Sequence, residues 1–253
     1  MRETIGGKGL PMDEAMNLLD LHSAIDRVVG SYLESMRLFQ PPVDWVELAL
    51  SIPGIQRETA HEATGLSRKR AASKGKLLLG DSLKEESRQR LAAQAIAHFL
   101  LPRVGDILGA ESGEKLPAGW VRALVDRLMV PPLWFRDIWR NVEGDFAKVL
   151  TRFTFTPMEL VAQRLLDSAE PTVLSIIDHG TLAHRASNGP RAGKVLWPVE
   201  KECREYVAHF SRARRISQGG MTVWGWPIHQ SDWKKEVLRT VLSEDGDLLG
   251  TED

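Results

Sequence analysis

Cysteine is nearly missing from this 253-residue chain: Cys203 stands alone, which excludes an intramolecular disulfide framework and any zinc site built from several thiolates. A reducing compartment is the expectation. Charge of one sign is also missing, since 33 Lys+Arg against 34 Asp+Glu leave a net charge of −1. A whole-chain polybasic binder of nucleic acid or membrane is therefore not expected. No apolar run approaches the about 20 residues that span a bilayer, and Met1-Arg2-Glu3-Thr4 leads into no apolar signal segment, so the cytoplasm is the expected location. Internal repeats, low-complexity tracts, phosphate-binding loops, dinucleotide fingerprints and nucleophile motifs are not found either. What remains is an average globular composition, 43% hydrophobic and 26% charged.

From Asp13 to Phe39, Leu18, Leu21, Ile25, Val28, Tyr32 and Met36 recur every three or four residues, the period of an amphipathic helix. Pro41-Pro42 ends it, and Val43–Leu50 reads as a second helix before the Pro53-Gly54 turn. Ser67–Lys76 holds five basic residues, among them Arg68, Lys69 and Arg70, which read as a solvated loop or as a phosphate contact. Leu77-Leu78-Leu79 follows as a short strand or apolar turn. Ser82 with Glu85 makes a capping box, starting an alanine-rich helix that is expected to be central, buried and stopped by Pro102. Helices are expected at Trp120–Met129 and Leu133–Asn141. A helix-turn-helix-like pair follows over 145–166, its second member capped by Thr156 with Pro157 first in the helix. That second helix would offer Gln163 and Arg164 to a DNA groove. Beyond Glu170 the pattern turns to strands: a hairpin of Thr172–Asp178 and Thr181–Ser187 around His179-Gly180, a helix over Glu200–Phe210, and strands at Met221–Ile228 and Glu236–Leu242. The fold class expected is α+β, a mostly helical N-terminal domain over 13–168, an antiparallel α+β module over 170–243 and an acidic tail over 244–253.

Seven histidines invite a search for metal-ligand spacing. His61-Glu62 supplies the first half of a gluzincin motif, but Gly65 stands at the second ligand position. Tryptophans around Gly225, with His229, are candidates for the wall of a ligand pocket or for the packing face of a sheet, and Trp120 is a further candidate contact.

Four segments in order, PPVDWVELALSIPGI (Pro41–Ile55), RQRLAAQAIAHFLLP (Arg88–Pro102), LMVP (Leu128–Pro131) and DFAKVLTRFTFTPMELVAQRL (Asp145–Leu165), resemble the ImmA/IrrE-type metallopeptidase domain. The resemblance implies a zincin-like scaffold with a small sheet, a bacterial or phage setting, and a partner such as a helix-turn-helix repressor. It also implies a His-Glu-x-x-His helix. With His98 as its second histidine, Gln94 takes the place of the first and Ala95 that of the general-base glutamate. An amide ligates zinc poorly and a methyl group takes no proton from water, so the resemblance points to a catalytically inactive, partner-binding relative without a cofactor. Two alternatives stand beside it: an active zinc endopeptidase with ligands drawn from His98, His61 and Glu62, and a DNA-binding regulator using the 145–166 pair with the Arg68–Lys76 loop. The family's sensor-like second domains, of GAF or PAS character, are similar in element order to the C-terminal module. Membrane association is not expected, and the oligomeric state is left open.

Overall fold

The computed structural model describes residues 12–60, 76–80, 83–111, 116–189, 191–229 and 233–243. The fold is α+β, helical in its first part and built on a five-stranded antiparallel sheet in its second. Contacts divide the chain between Pro131 and Pro132 into two compact units. The helices of 132–167 thus group with the sheet that follows them. Among the described residues no helix is long and apolar enough to cross a membrane.

In the first unit, α1 (Met12–Ser35) buries Leu21, Ile25, Val28 and Tyr32, the stripe its periodicity demands. Met36 lies past the helix end and is exposed. Asp44 caps α2 (Trp45–Leu50), accepting the Val46 and Glu47 N–H groups at 2.9 and 3.1 Å. A cap of this kind stabilises by about 1 kcal/mol. A parallel pair, β1 (Gln56–Ala60) and β2 (Lys76–Gly80), runs in register Gln56↔Lys76 to Ala60↔Gly80, burying Leu77 and Leu79.

The long helix α3 (Glu85–Ile107) departs from the sequence reading at both ends. It starts at Glu85, with Lys84 at the cap position, so Glu85 is the first helical residue and accepts instead from Gln89 at 2.8 Å. Ser82 lies outside the described residues. Pro102 sits inside the helix and does not stop it, because Leu100 and Val104 on either side are fully buried and packing outweighs the lost hydrogen bond. Ala92, Ala93, Ala95 and Ala97 are buried as expected, letting neighbouring backbone approach closely. Gln89 ties α2 to this helix: its carbonyl accepts the Trp45 N–H at 2.6 Å and its amide donates to Asp44 Oδ1 at 3.1 Å. Helix α4 (Ala118–Met129) packs along α3 through Leu124, Val125 and Leu128.

In the second unit α5 (Pro132–Asn141), α6 (Phe146–Leu150), α7 (Met158–Gln163) and a 3-10 turn (Arg164–Asp167) precede the sheet. Helix α7 begins one residue later than its sequence signals suggest, with Pro157 rather than Thr156 at the cap position. Glu159 is freed to reach Lys235 at 2.5 Å. Strands β3 (Thr172–Asp178), β4 (Thr181–Ser187), β5 (Arg214–Gln218), β6 (Met221–Pro227) and β7 (Lys235–Leu242) lie in the order β4-β3-β7-β6-β5. The β3–β4 turn has His179 at φ 46° and Gly180 at φ 79°, the double positive φ of a type I′ hairpin.

The two faces of the sheet are covered differently. Helix α8 (Pro198–Phe210) lies on one, where Val199, Cys203 and Val207 join Ile177, Val223 and Leu238 in the core. It lies so close that a Cβ on Gly225 would fall 2.8 Å from Val207 and 2.9 Å from the Cys203 sulfur, which is why glycine occupies the middle of β6. On the other, Trp226 packs against Trp139 and Phe146, with ring centroids 5.9 and 5.8 Å away.

Candidate functional site

Along one stripe of α3, at helical spacing, stand Arg90, Gln94, His98 and Leu101. Leu116, Ala118, Val121, Arg122 and Val125 form the facing wall, and between them lies a groove of about 490 Å³. Gln94 and His98, singled out from the sequence resemblance, therefore border a real concavity. Gln94 and His98 are half-buried in it, one turn apart. Ala95 is not part of its lining; it points into the core at 6% exposure.

Burial holds the His98 imidazole below the ordinary histidine value, so at neutral pH the ring carries no charge. His98 faces the groove and has no hydrogen-bond partner among the described residues. Arg90 and Arg122 are the charged side chains among the described residues of the lining.

This donor set does not suit zinc: one imidazole and one amide face two guanidinium groups that repel a cation. Among the described residues no three His, Cys, Asp or Glu side chains converge as metal ligands would. His61 and Glu62 lie outside the described residues, as do the basic Arg68, Lys69 and Arg70. Chemically the groove offers uncharged hydrogen-bonding groups between two cations on an apolar floor. That matches an acceptor-rich or acidic ligand flanked by hydrocarbon.

The remaining sequence candidates are dispersed. Trp120 is half-buried on the first turn of α4 and is not in the groove lining. Gln163 is half-buried, and Arg164 is 7% exposed and held 2.9 Å from Asp167. Helix α7 has only six residues and packs Leu160, Val161 and Ala162 inward. Trp226 is a core side chain at 4% exposure. Trp224 lies between the guanidinium groups of Arg215 and Arg239, 5.0 and 5.2 Å from its ring. Cys203 is buried, and loss of hydration pushes its thiol up to about 12, helped by Glu202 and Glu200 and opposed by Arg214. A thiolate is not formed there near neutral pH.

Sequence reasoning missed Arg90 and Arg122. Arg90 was within reach, four residues before Gln94 on the same stripe, whereas Arg122 joins only because α4 packs against α3. It also missed that His229 is held between Ser211 and Glu236, at 3.2 and 3.4 Å.

No protein-family model matches the chain, and no curated protein does. Among solved structures the chain is similar in fold to a Mycobacterium tuberculosis transcriptional regulator, with a TM-score of 0.57 and 16% sequence identity, over 88% of this chain and 76% of that one.

Proposed function

We propose that this chain is a regulatory protein whose helical unit is a zinc-free relative of the ImmA/IrrE-type peptidases, and that the groove on α3 binds a protein partner such as a helix-turn-helix repressor. One observation carries the reading: where the zinc helix of that family would present His and Glu, this helix presents Gln94 and a core-facing Ala95, beside Arg90 and Arg122. A groove kept open after its metal chemistry has gone retains a use for binding. The likeness of fold to a transcriptional regulator is compatible with a regulatory role.

The test joins metal analysis to cross-linking. The full chain, purified without chelator, carries far less than one zinc per molecule. A photo-reactive residue replacing Val121 attaches in cells of the source organism to one protein, and Arg90→Glu with Arg122→Glu removes that adduct. One zinc per chain, lost on His98→Ala, overturns the reading in favour of a working endopeptidase. Salt-dependent retention of duplex DNA without any adduct would move it to a DNA-binding regulator.

A further inference from the structure

The sequence holds no nucleophile motif, yet the second unit gathers a serine, a histidine and a carboxylate from three elements. Ser211 directly follows α8, exposed, with its main chain at φ 50°, a left-handed conformation that residues other than glycine seldom adopt. Its Oγ lies 3.2 Å from Nδ1 of His229, just beyond β6. On the other side of the ring, Nε2 lies 3.4 Å from Oε1 of Glu236, near the start of β7. The series runs inward from an exposed hydroxyl, through a ring 18% exposed, to a carboxylate 2% exposed. The second oxygen of Glu236 is buried without a partner, leaving His229 as the group its carboxylate engages.

The order of these groups fixes their chemistry. A carboxylate at Nε2 selects the neutral tautomer with its proton there, which turns the lone pair of Nδ1 toward the serine hydroxyl. That is the arrangement of a general base on a nucleophile, held by a third group. The spacing of 3.4 Å lies at the long end of hydrogen-bonding reach. The Arg212 N–H, next in the chain, donates to no acceptor among the described residues and is free to meet a developing oxyanion. Along α8, up to the residue before Ser211, runs a surface groove of about 630 Å³ whose lining includes Glu202, Glu205 and Phe210; Phe210 is 54% exposed and offers an aromatic edge to an aryl group.

We propose that Ser211, His229 and Glu236 hydrolyse aryl esters. Ser211 Oγ bonds to the carbonyl carbon as its proton passes to His229 Nδ1. Collapse of the tetrahedral adduct breaks the ester C–O bond, and the phenolic oxygen leaves with the proton from Nδ1. Water then attacks the acyl-serine, gives its proton to Nδ1, and releases the carboxylic acid as that proton returns to Oγ. Ser211 and His229 are the catalytic residues, and Glu236 positions the ring.

The full chain is incubated with 4-nitrophenyl acetate, and separately with a fluorophosphonate probe followed by peptide mapping. The expected result is phenolate release at least tenfold above buffer and a probe adduct on Ser211. Ser211→Gly suits the left-handed backbone and so keeps the fold while removing the nucleophile; it abolishes both signals. Glu236→Gln lowers adduct formation about tenfold, and Glu236→Asp recovers part of it at unchanged substrate KM. A folded chain with no adduct on Ser211, or a Ser211→Gly variant that still releases phenolate, overturns the proposal.

Discussion

Helices α3 and α8 both need close approach to a neighbour, and they reach it by opposite means. Helix α3 carries the small residues itself, four alanines on its buried faces. Helix α8 keeps larger side chains, and the sheet beneath gives way at Gly225. The second solution leaves room on the helix for a polar group in the core. Glu200, fully buried on α8, accepts the Trp197 N–H at 2.8 Å and the Thr240 hydroxyl at 2.6 Å, and lies 2.8 Å from Arg185. Arg185 in turn donates to the Ser175 hydroxyl and stacks over Trp197. A helix packed by alanine is held by contact area, whereas a helix packed on glycine is held in one register by charge and hydrogen bonds.

The sharpest way to break this contrast is Glu200→Ala. Arg185 is 6% exposed, so its charge would be stranded, and chemical denaturation should show a loss of about 3–5 kcal/mol. Replacing both members, Glu200→Leu with Arg185→Met, should recover most of it if the pair serves register more than stability. Next in size, Gly225→Ala forces a Cβ within 3.0 Å of Leu238 and closer to Val207 and Cys203. It should cost about 1–3 kcal/mol by overpacking, and Ala93→Leu on α3 a similar amount, read as falls in Tm. The smallest effect separates charge from capping in the first unit. Burial alone would raise the Asp44 carboxyl, but hydrogen bonds from the Glu47 N–H, the Gln89 amide and the Val46 N–H, with Arg88 nearby, hold it below the ordinary aspartate value. A depressed folded value adds stability above the unfolded value of about 3.9, lost as pH falls through the folded one. Asp44→Asn keeps a competent cap, so it should be less stable by about 0.3–1 kcal/mol at pH 7 and equal to the parent in strong acid. A stability gap that persists at low pH would show that the charge is not what matters.

How much of this was legible in the sequence depends on whether a signal was local. The β3–β4 hairpin was read to the residue, because β-branched runs flank a His-Gly pair that tolerates two positive φ values. Strand β5 was not, since Arg214–Gln218 is an edge strand without the alternation that a buried face imposes. Pro102 was read as a helix stop by local rules that packing around Leu100 and Val104 overrode. The same division holds for the sites. Gln94 and His98 share one helix face and were found, whereas Arg122 and the Ser211, His229 and Glu236 set meet only once separate elements have packed. Side chains that converge from distant segments leave no spacing to count.

Because the one thiol of the chain is sealed under α8, its alkylation becomes a clock for that helix. Cys203 has no exposed surface and a proton it gives up reluctantly, so iodoacetamide can reach it only in the moments when α8 lifts from the strands. The rate at which the native protein takes up a single label thus measures the opening equilibrium of one helix, with no second sulfur to confuse the count.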